Sequence, residues 1–140
     1  MNRSRSNFLT RLRGFTSAFI TVLAVTACGP SDADFREFAS YPSPRGSLNV
    51  IVDSAHSPLP FGPETIRIYV NPGGSQARNH VLTTKIANDG GGVSSTNVQV
   101  KWLAEDKIQF CLSGDEQQDK IIEINLLNLR FSEVSQPCSS

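Results

Sequence analysis

The residues able to do chemistry in this chain are few: His56 and His80, Cys28, Cys111 and Cys138, and 13 carboxylates spread along 140 residues. His56 lies in Asp53-Ser54-Ala55-His56-Ser57, which holds the residue types of an acid–base–nucleophile triad. A triad needs a base oriented by a buried acid and a nucleophile within hydrogen-bond reach. Near neighbours at a strand end rarely meet that geometry, and the chain has no G-x-S-x-G elbow. The segment reads as a loop histidine beside a turn-forming aspartate, and His80, after Arg78-Asn79, as a solvated strand entry. Zinc needs three or four converging Cys, His or acidic ligands, and no such spacing is present. Asp115, Glu116 and Asp119 lack the alternating ligands and terminal bidentate Glu of an EF-hand. Asn71-Pro72-Gly73-Gly74-Ser75-Gln76 is glycine-rich without the Lys-Ser/Thr ending of a phosphate-binding loop. No catalytic residue, metal or cofactor is assigned, and the chain is not expected to be an enzyme.

Cys28 has a different chemistry. Arg3, Arg5, Arg11 and Arg13 precede an uncharged run from Phe15 to Ala27, with no acidic residue before Asp32. That run is too short to cross a bilayer as a helix, which takes about 20 residues. A basic flank, a short apolar stretch and small residues before a cut describe a secretory signal peptide. Val25-Thr26-Ala27-Cys28 resembles the lipobox of bacterial lipoproteins, with Val25 where Leu is commonest. The resemblance covers residues 1–28. It implies that residues 1–27 are removed and that Cys28 is the lipid-attachment residue, holding the mature chain to a membrane in the cell envelope. Lipoproteins of double-membrane bacteria are often kept at the inner membrane by Asp after that cysteine. Gly29 in its place implies the outer membrane, facing the periplasm, if the source has two membranes.

Removing residues 1–27 takes away four arginines and no acid. Nine Lys/Arg then face 13 Asp/Glu, a net charge of −4. This mildly acidic balance carries no basic footprint for nucleic acid. With Cys28 given to lipid, Cys111 and Cys138 remain, and two cysteines in an oxidising compartment read as one disulfide. Closing that loop would contribute about 3 kcal/mol on the chain-entropy view.

The surrounding elements show a period of two rather than 3.6. Leu48, Val50 and Val52 alternate with Asn49, Ile51 and Asp53; Ile66, Ile68 and Val70 with Thr65, Arg67 and Tyr69. His80 to Asn88 is a weaker β-branched run. Val98, Val100 and Trp102 alternate with Asn97, Gln99 and Lys101, and Ile108, Phe110 and Leu112 with Gln109 and Cys111. Ile122, Ile124 and Leu126 follow, and then the phase slips to Leu127, Leu129 and Phe131, which suggests a β-bulge in one bent strand. Turn chemistry separates these runs at Asn88–Gly92, Ala104–Asp106 and Ser113–Asp119. The expected fold is all-β, a small antiparallel sandwich or open barrel of about six strands. Residues 28–44, with Pro30, Pro42 and Pro44, read as a tether, in which Ser31-Asp32-Ala33-Asp34 could cap one helical turn through Phe38. Residues 45–140 read as the β-domain.

Ser43-Pro44-Arg45-Gly46 and Val100-Lys101-Trp102-Leu103-Ala104-Glu105-Asp106-Lys107-Ile108 resemble a loose class of small secreted bacterial β-domains. That class shares an S-P-x-G opening and a V-x-W-x-x-x-D-x-I hairpin, and the resemblance covers about 70 residues. It implies no particular activity. On its own chemistry the hairpin would place Trp102 and Ile108 in the core.

Ser57-Pro58-Leu59-Pro60-Phe61-Gly62-Pro63 puts two large apolar residues outside any strand. Its prolines stiffen it, which lowers the entropic cost of docking. Leu59 and Phe61 are candidate partner contacts; the alternative is a loop folded over an open end of the sheet, with Phe61 buried. The function expected is a membrane-anchored, non-enzymatic interaction module with an envelope protein as partner. The other reading is a binder of a small ligand or envelope glycan, with Trp102, Tyr69 and Tyr41 as candidate aromatic walls alongside the phenylalanines.

Overall fold

The computed structural model describes residues 29–88 and 91–138. The expected signal peptide, residues 1–27, and the expected lipid-attachment residue Cys28 lie outside them. Strands β1 (Arg36–Pro42), β2 (Leu48–Ala55), β3 (Glu64–Pro72) and β4 (Asn79–Ile86) form one antiparallel sheet in chain order. Strands β5 (Val98–Ala104), β6 (Lys107–Gly114), β7 (Gln117–Asn125) and β8 (Arg130–Ser135) form the other, again in chain order. The described residues form a small β-sandwich of eight strands rather than about six. Among the described residues, no helix is long and apolar enough to cross a membrane.

The alternating residues meet where the two sheets face each other. Val50, Val52, Ile66, Ile68 and Ile86 from the first sheet are fully buried with Ile108, Phe110, Leu112, Ile122 and Ile124 from the second. Tyr41 meets Phe110 edge-on, with ring centroids 6.4 Å apart. Burial raises the pKa of the Tyr41 phenol above its usual value. Ile108 fills the core as expected, whereas Trp102 is only partly buried against its rim.

The segment expected as tether contributes β1, which pairs with β2 from Arg36 opposite Ser54 to Pro42 opposite Asn49. The capped turn spans only Asp32–Asp34 and does not continue to Phe38. Asp34 accepts both the N–H and the hydroxyl of Ser31 at 2.7 Å, which holds its pKa below the usual carboxylate range. Asp32 accepts from Arg67 at 2.6 Å, and that guanidinium lies 3.7 Å over the Phe35 ring. The N-terminal segment is thereby fixed to the outer face of the first sheet.

The phase slip after Leu126 is a chain reversal, not a bulge. β7 ends at Asn125 and β8 starts at Arg130. Asn125 and Asn128 accept the N–H groups two residues ahead, at Leu127 and Arg130, each at 3.1 Å, and Leu129 takes φ 53°. These are Asx turns, and Asn tolerates tight reversals without Gly or Pro.

The sandwich has two distinct ends. At one, Glu105 of the β5–β6 turn accepts the Ser43 hydroxyl at 2.5 Å and the Arg45 N–H at 2.9 Å from the β1–β2 turn. The Leu126 N–H donates to the Asp106 carbonyl there, which brings in the β7–β8 turn. At the other, Ala87 donates to the Gln117 side chain at 2.9 Å, joining the end of β4 to the start of β7.

Candidate functional site

The Ser57–Pro63 loop crosses this second end, between β2 and β3. The Leu59 N–H donates to Ser57 Oγ at 3.2 Å, and the Gly62 N–H donates to the Leu59 carbonyl at 3.1 Å. Leu59-Pro60-Phe61-Gly62 therefore closes a turn with proline at its second position and Phe61 at its third, where φ is 60°. A type II turn calls for Gly or Asn at that third position. A bulky residue there costs of order 1–3 kcal/mol. Gly62 packs against Ser57 so closely that a Cβ would lie 2.1 Å from Ser57 Oγ.

This strained turn does not cover the core. Leu59 is 61% exposed and Phe61 75%. The reading in which Phe61 folds over the open end of the sheet is corrected: the left-handed backbone at Phe61 directs the ring into solvent.

His56 stands beside the loop. Ala55 pairs with Thr65, so His56 and Glu64 are the next residues outward on the two strands. Nδ1 of His56 contacts Glu64 Oε1 directly, and Glu64 is buried to 2% while the His56 side chain stays 72% exposed. The buried acid that orients this histidine is Glu64, which sequence reasoning did not single out. Asp53, which could have completed a triad, accepts from Arg78 at 2.9 and 3.0 Å on the outer sheet face, and Arg78 also reaches Glu37 at 2.5 Å. Ser57 Oγ is engaged in the loop's own bonding. The segment therefore does not assemble Asp53, Ser54 and His56 around one reacting atom.

A shallow hollow of about 370 Å³ adjoins the pair, lined by Gly29, Asp34, Arg36, His56, Ser57 and Pro58. It places Gly29, the first described residue, beside the base of the exposed loop.

Cys111 and Cys138 form a disulfide, with Cα atoms 5.8 Å apart. It lies on the outer face of the second sheet, crossing β7 to reach the chain beyond β8. Asp119 brings a carboxylate oxygen to within 4.8 Å of both sulfurs, but the sulfurs are bonded to each other and Asp119 accepts the Cys138 N–H at 3.0 Å. Asp115 and Glu116 point from the β6–β7 turn into solvent and do not converge with Asp119. His80 contacts the Thr83 hydroxyl at 2.9 Å and meets Tyr69 edge-on at 5.5 Å.

A second apolar surface was not apparent in the sequence. β8 has all six residues exposed and, as the last strand of its sheet, has one edge without a neighbour among the described residues. Phe131 is 51% and Val134 52% exposed, and Leu127 and Leu129 in the preceding turn are 77% and 41%. Phe131 pairs with the fully buried Ile124, so it shares the inner face. The first sheet does not extend over it.

Trp102, Tyr69 and Tyr41 line neither the hollow near His56 nor those near Gln136, Gln99 and Phe131. No protein-family model, curated protein or solved structure matches the chain.

Proposed function

We propose that the chain is a lipoprotein of the cell envelope, anchored through acyl chains on Cys28, whose sandwich is a non-enzymatic protein-interaction module. Where the source has two membranes, the module stands on the outer membrane and faces the periplasm. The observation that carries this reading is β8, an edge strand exposed along its whole length, with Phe131 and Val134 on its two faces. An unpaired edge offers a row of backbone donors and acceptors, and alternate side chains give specificity to a strand added from a partner. The partner that fits is an envelope protein with an extended apolar segment. The Cys111–Cys138 disulfide supports an oxidising compartment. For the small-ligand or glycan reading, Trp102 packs against the core rim, and the hollow with an aromatic wall has Phe131, which belongs to the same β8 surface.

The test is in-cell cross-linking of the native lipidated protein from a photoreactive residue at position 131, with Cys28→Ser as control. One dominant protein adduct, lost in the control, is the expected result. Recovery of glycan, or of no adduct, moves the ligand-binding reading ahead.

A further inference from the structure

We infer that the Ser57–Pro63 loop is a membrane-contacting surface, seating Leu59 and Phe61 in the interfacial layer of the bilayer that holds Cys28. This rests on the lipid-anchor reading and adds an orientation to it.

The first ground is where the chain leaves the domain. Gly29 lines the same hollow as His56, Ser57 and Pro58, so the described chain begins beside the loop, one residue after Cys28 in sequence. The second ground is length. Ser31 is already fixed by Asp34, and Asp32 by Arg67. The stretch from Cys28 to Ser31 can therefore reach no more than about 11 Å. The polar layer on each side of a bilayer is itself about 5–7 Å thick. A lipidated Cys28 brings this end of the sandwich down onto the membrane surface.

The third ground is the loop. Its turn is held by two internal hydrogen bonds and fixed by prolines, and it presents Leu59 and Phe61 at 61% and 75% exposure. A turn already set in shape loses little entropy on insertion. An interfacial site takes apolar side chains about 5–10 Å deep. The charges nearby do not favour an electrostatic alternative. Arg36 in the hollow is matched by Asp34, and the exposed Lys85, opposite Thr65, is outnumbered by Asp115 and Glu116 of the β6–β7 turn at the same end. Contact is apolar and insensitive to salt.

The opposite end, with Glu105 and the β7–β8 turn, then faces away from the bilayer. The eight residues of β2 set it roughly 25 Å from the membrane-side end. Trp102 lies toward that far end, paired with Ile108 next to the Glu105 turn.

This gives a built-in control. The full chain carrying Phe61→Trp is expressed with its leader and reconstituted into phosphatidylcholine vesicles with or without brominated acyl chains. Intact mass reads acylation of Cys28, and flotation reads anchoring. The expected result is acylated, floating protein in which the added indole is blue-shifted and loses most of its emission to brominated lipid. The parent protein, with Trp102 alone, keeps its emission, and added salt changes neither. Leu59→Trp repeats the measurement at a position without a left-handed backbone. Acylated, floating protein whose added indoles are unquenched overturns the inference and leaves the anchor standing. Protein that is neither acylated nor floating overturns both. A photoreactive residue at position 61 that captures protein instead of lipid also overturns it.

Discussion

Glu105 and Ser43, 62 residues apart, share a 2.5 Å hydrogen bond that ties the β5–β6 turn of one sheet to the β1–β2 turn of the other. The same carboxylate accepts the Arg45 N–H at 2.9 Å and also holds the Ser47 hydroxyl. Hydrogen bonds to the charged form hold its pKa at about 2, the Ser43 and Ser47 hydroxyls being the largest causes. The folded value is below the ordinary 4.5, so the bonding it contributes is present above that pH and is lost as pH falls from there toward 2. Urea midpoints measured at pH 6 and pH 3 should drop more for the parent than for Glu105→Gln. Equal drops would show that the clasp does not respond to this carboxyl.

His56 and Glu64 make a second testable pair. His56→Ala leaves a carboxylate that is 2% exposed without its contacting partner. The expected cost is about 1–3 kcal/mol in denaturant unfolding. Adding Glu64→Gln to His56→Ala should recover part of it, because the two changes act on one interaction and are not additive. Additive losses would mean that each residue acts alone.

The disulfide staples the chain beyond β8 to β6. Among the described residues no layer covers β8, so its attachment rests on pairing with β7, on the Lys120–Glu133 ion pair at 3.3 Å and on that covalent link. Removing the link by Cys111→Ser with Cys138→Ser should lower stability by about 3 kcal/mol. Amide exchange should rise first at Phe131–Ser135, while β2, β3 and β6 stay protected. Uniform loss of protection across the sandwich would overturn the local role.

Gly114, the last residue of β6, lies against Ala87, which follows β4 in the other sheet. A Cβ there would lie 2.2 Å from the Ala87 carbonyl oxygen, a backbone atom with no room to retreat. Gly114→Ala should cost about 1–3 kcal/mol by overpacking. The near-UV dichroism of the variant should show whether the fold survives the change.

Six strands were legible because their period-two faces are buried on one side, as Val50, Ile66 and Phe110 show. β1 was hidden by its own irregularity. A bulge between Glu37 and Ala39 breaks the alternation, so Phe38 and Tyr41 fall three residues apart, among prolines that read as linker. β8 was hidden because Leu127, Leu129 and Phe131 continue an apolar series through a turn without Gly or Pro. The available signal was the pair Asn125 and Asn128. The exposure of Leu59 and Phe61 could not be read, since it depends on the sign of one backbone angle at Phe61. The His56–Glu64 contact needed the hairpin register, in which Ala55 and Thr65 are opposed.

Each sheet is a run of four consecutive strands, so among the described residues the chain passes from one sheet to the other once, between Ile86 and Val98. Neither half threads through the other. If that passage opens, two molecules can trade halves, each first sheet closing on the other molecule's second sheet with the core pairings of Val50, Ile68 and Phe110 retained. Such an exchanged dimer keeps every strand neighbour it had as a monomer, and it doubles the number of β8 edges held in one particle.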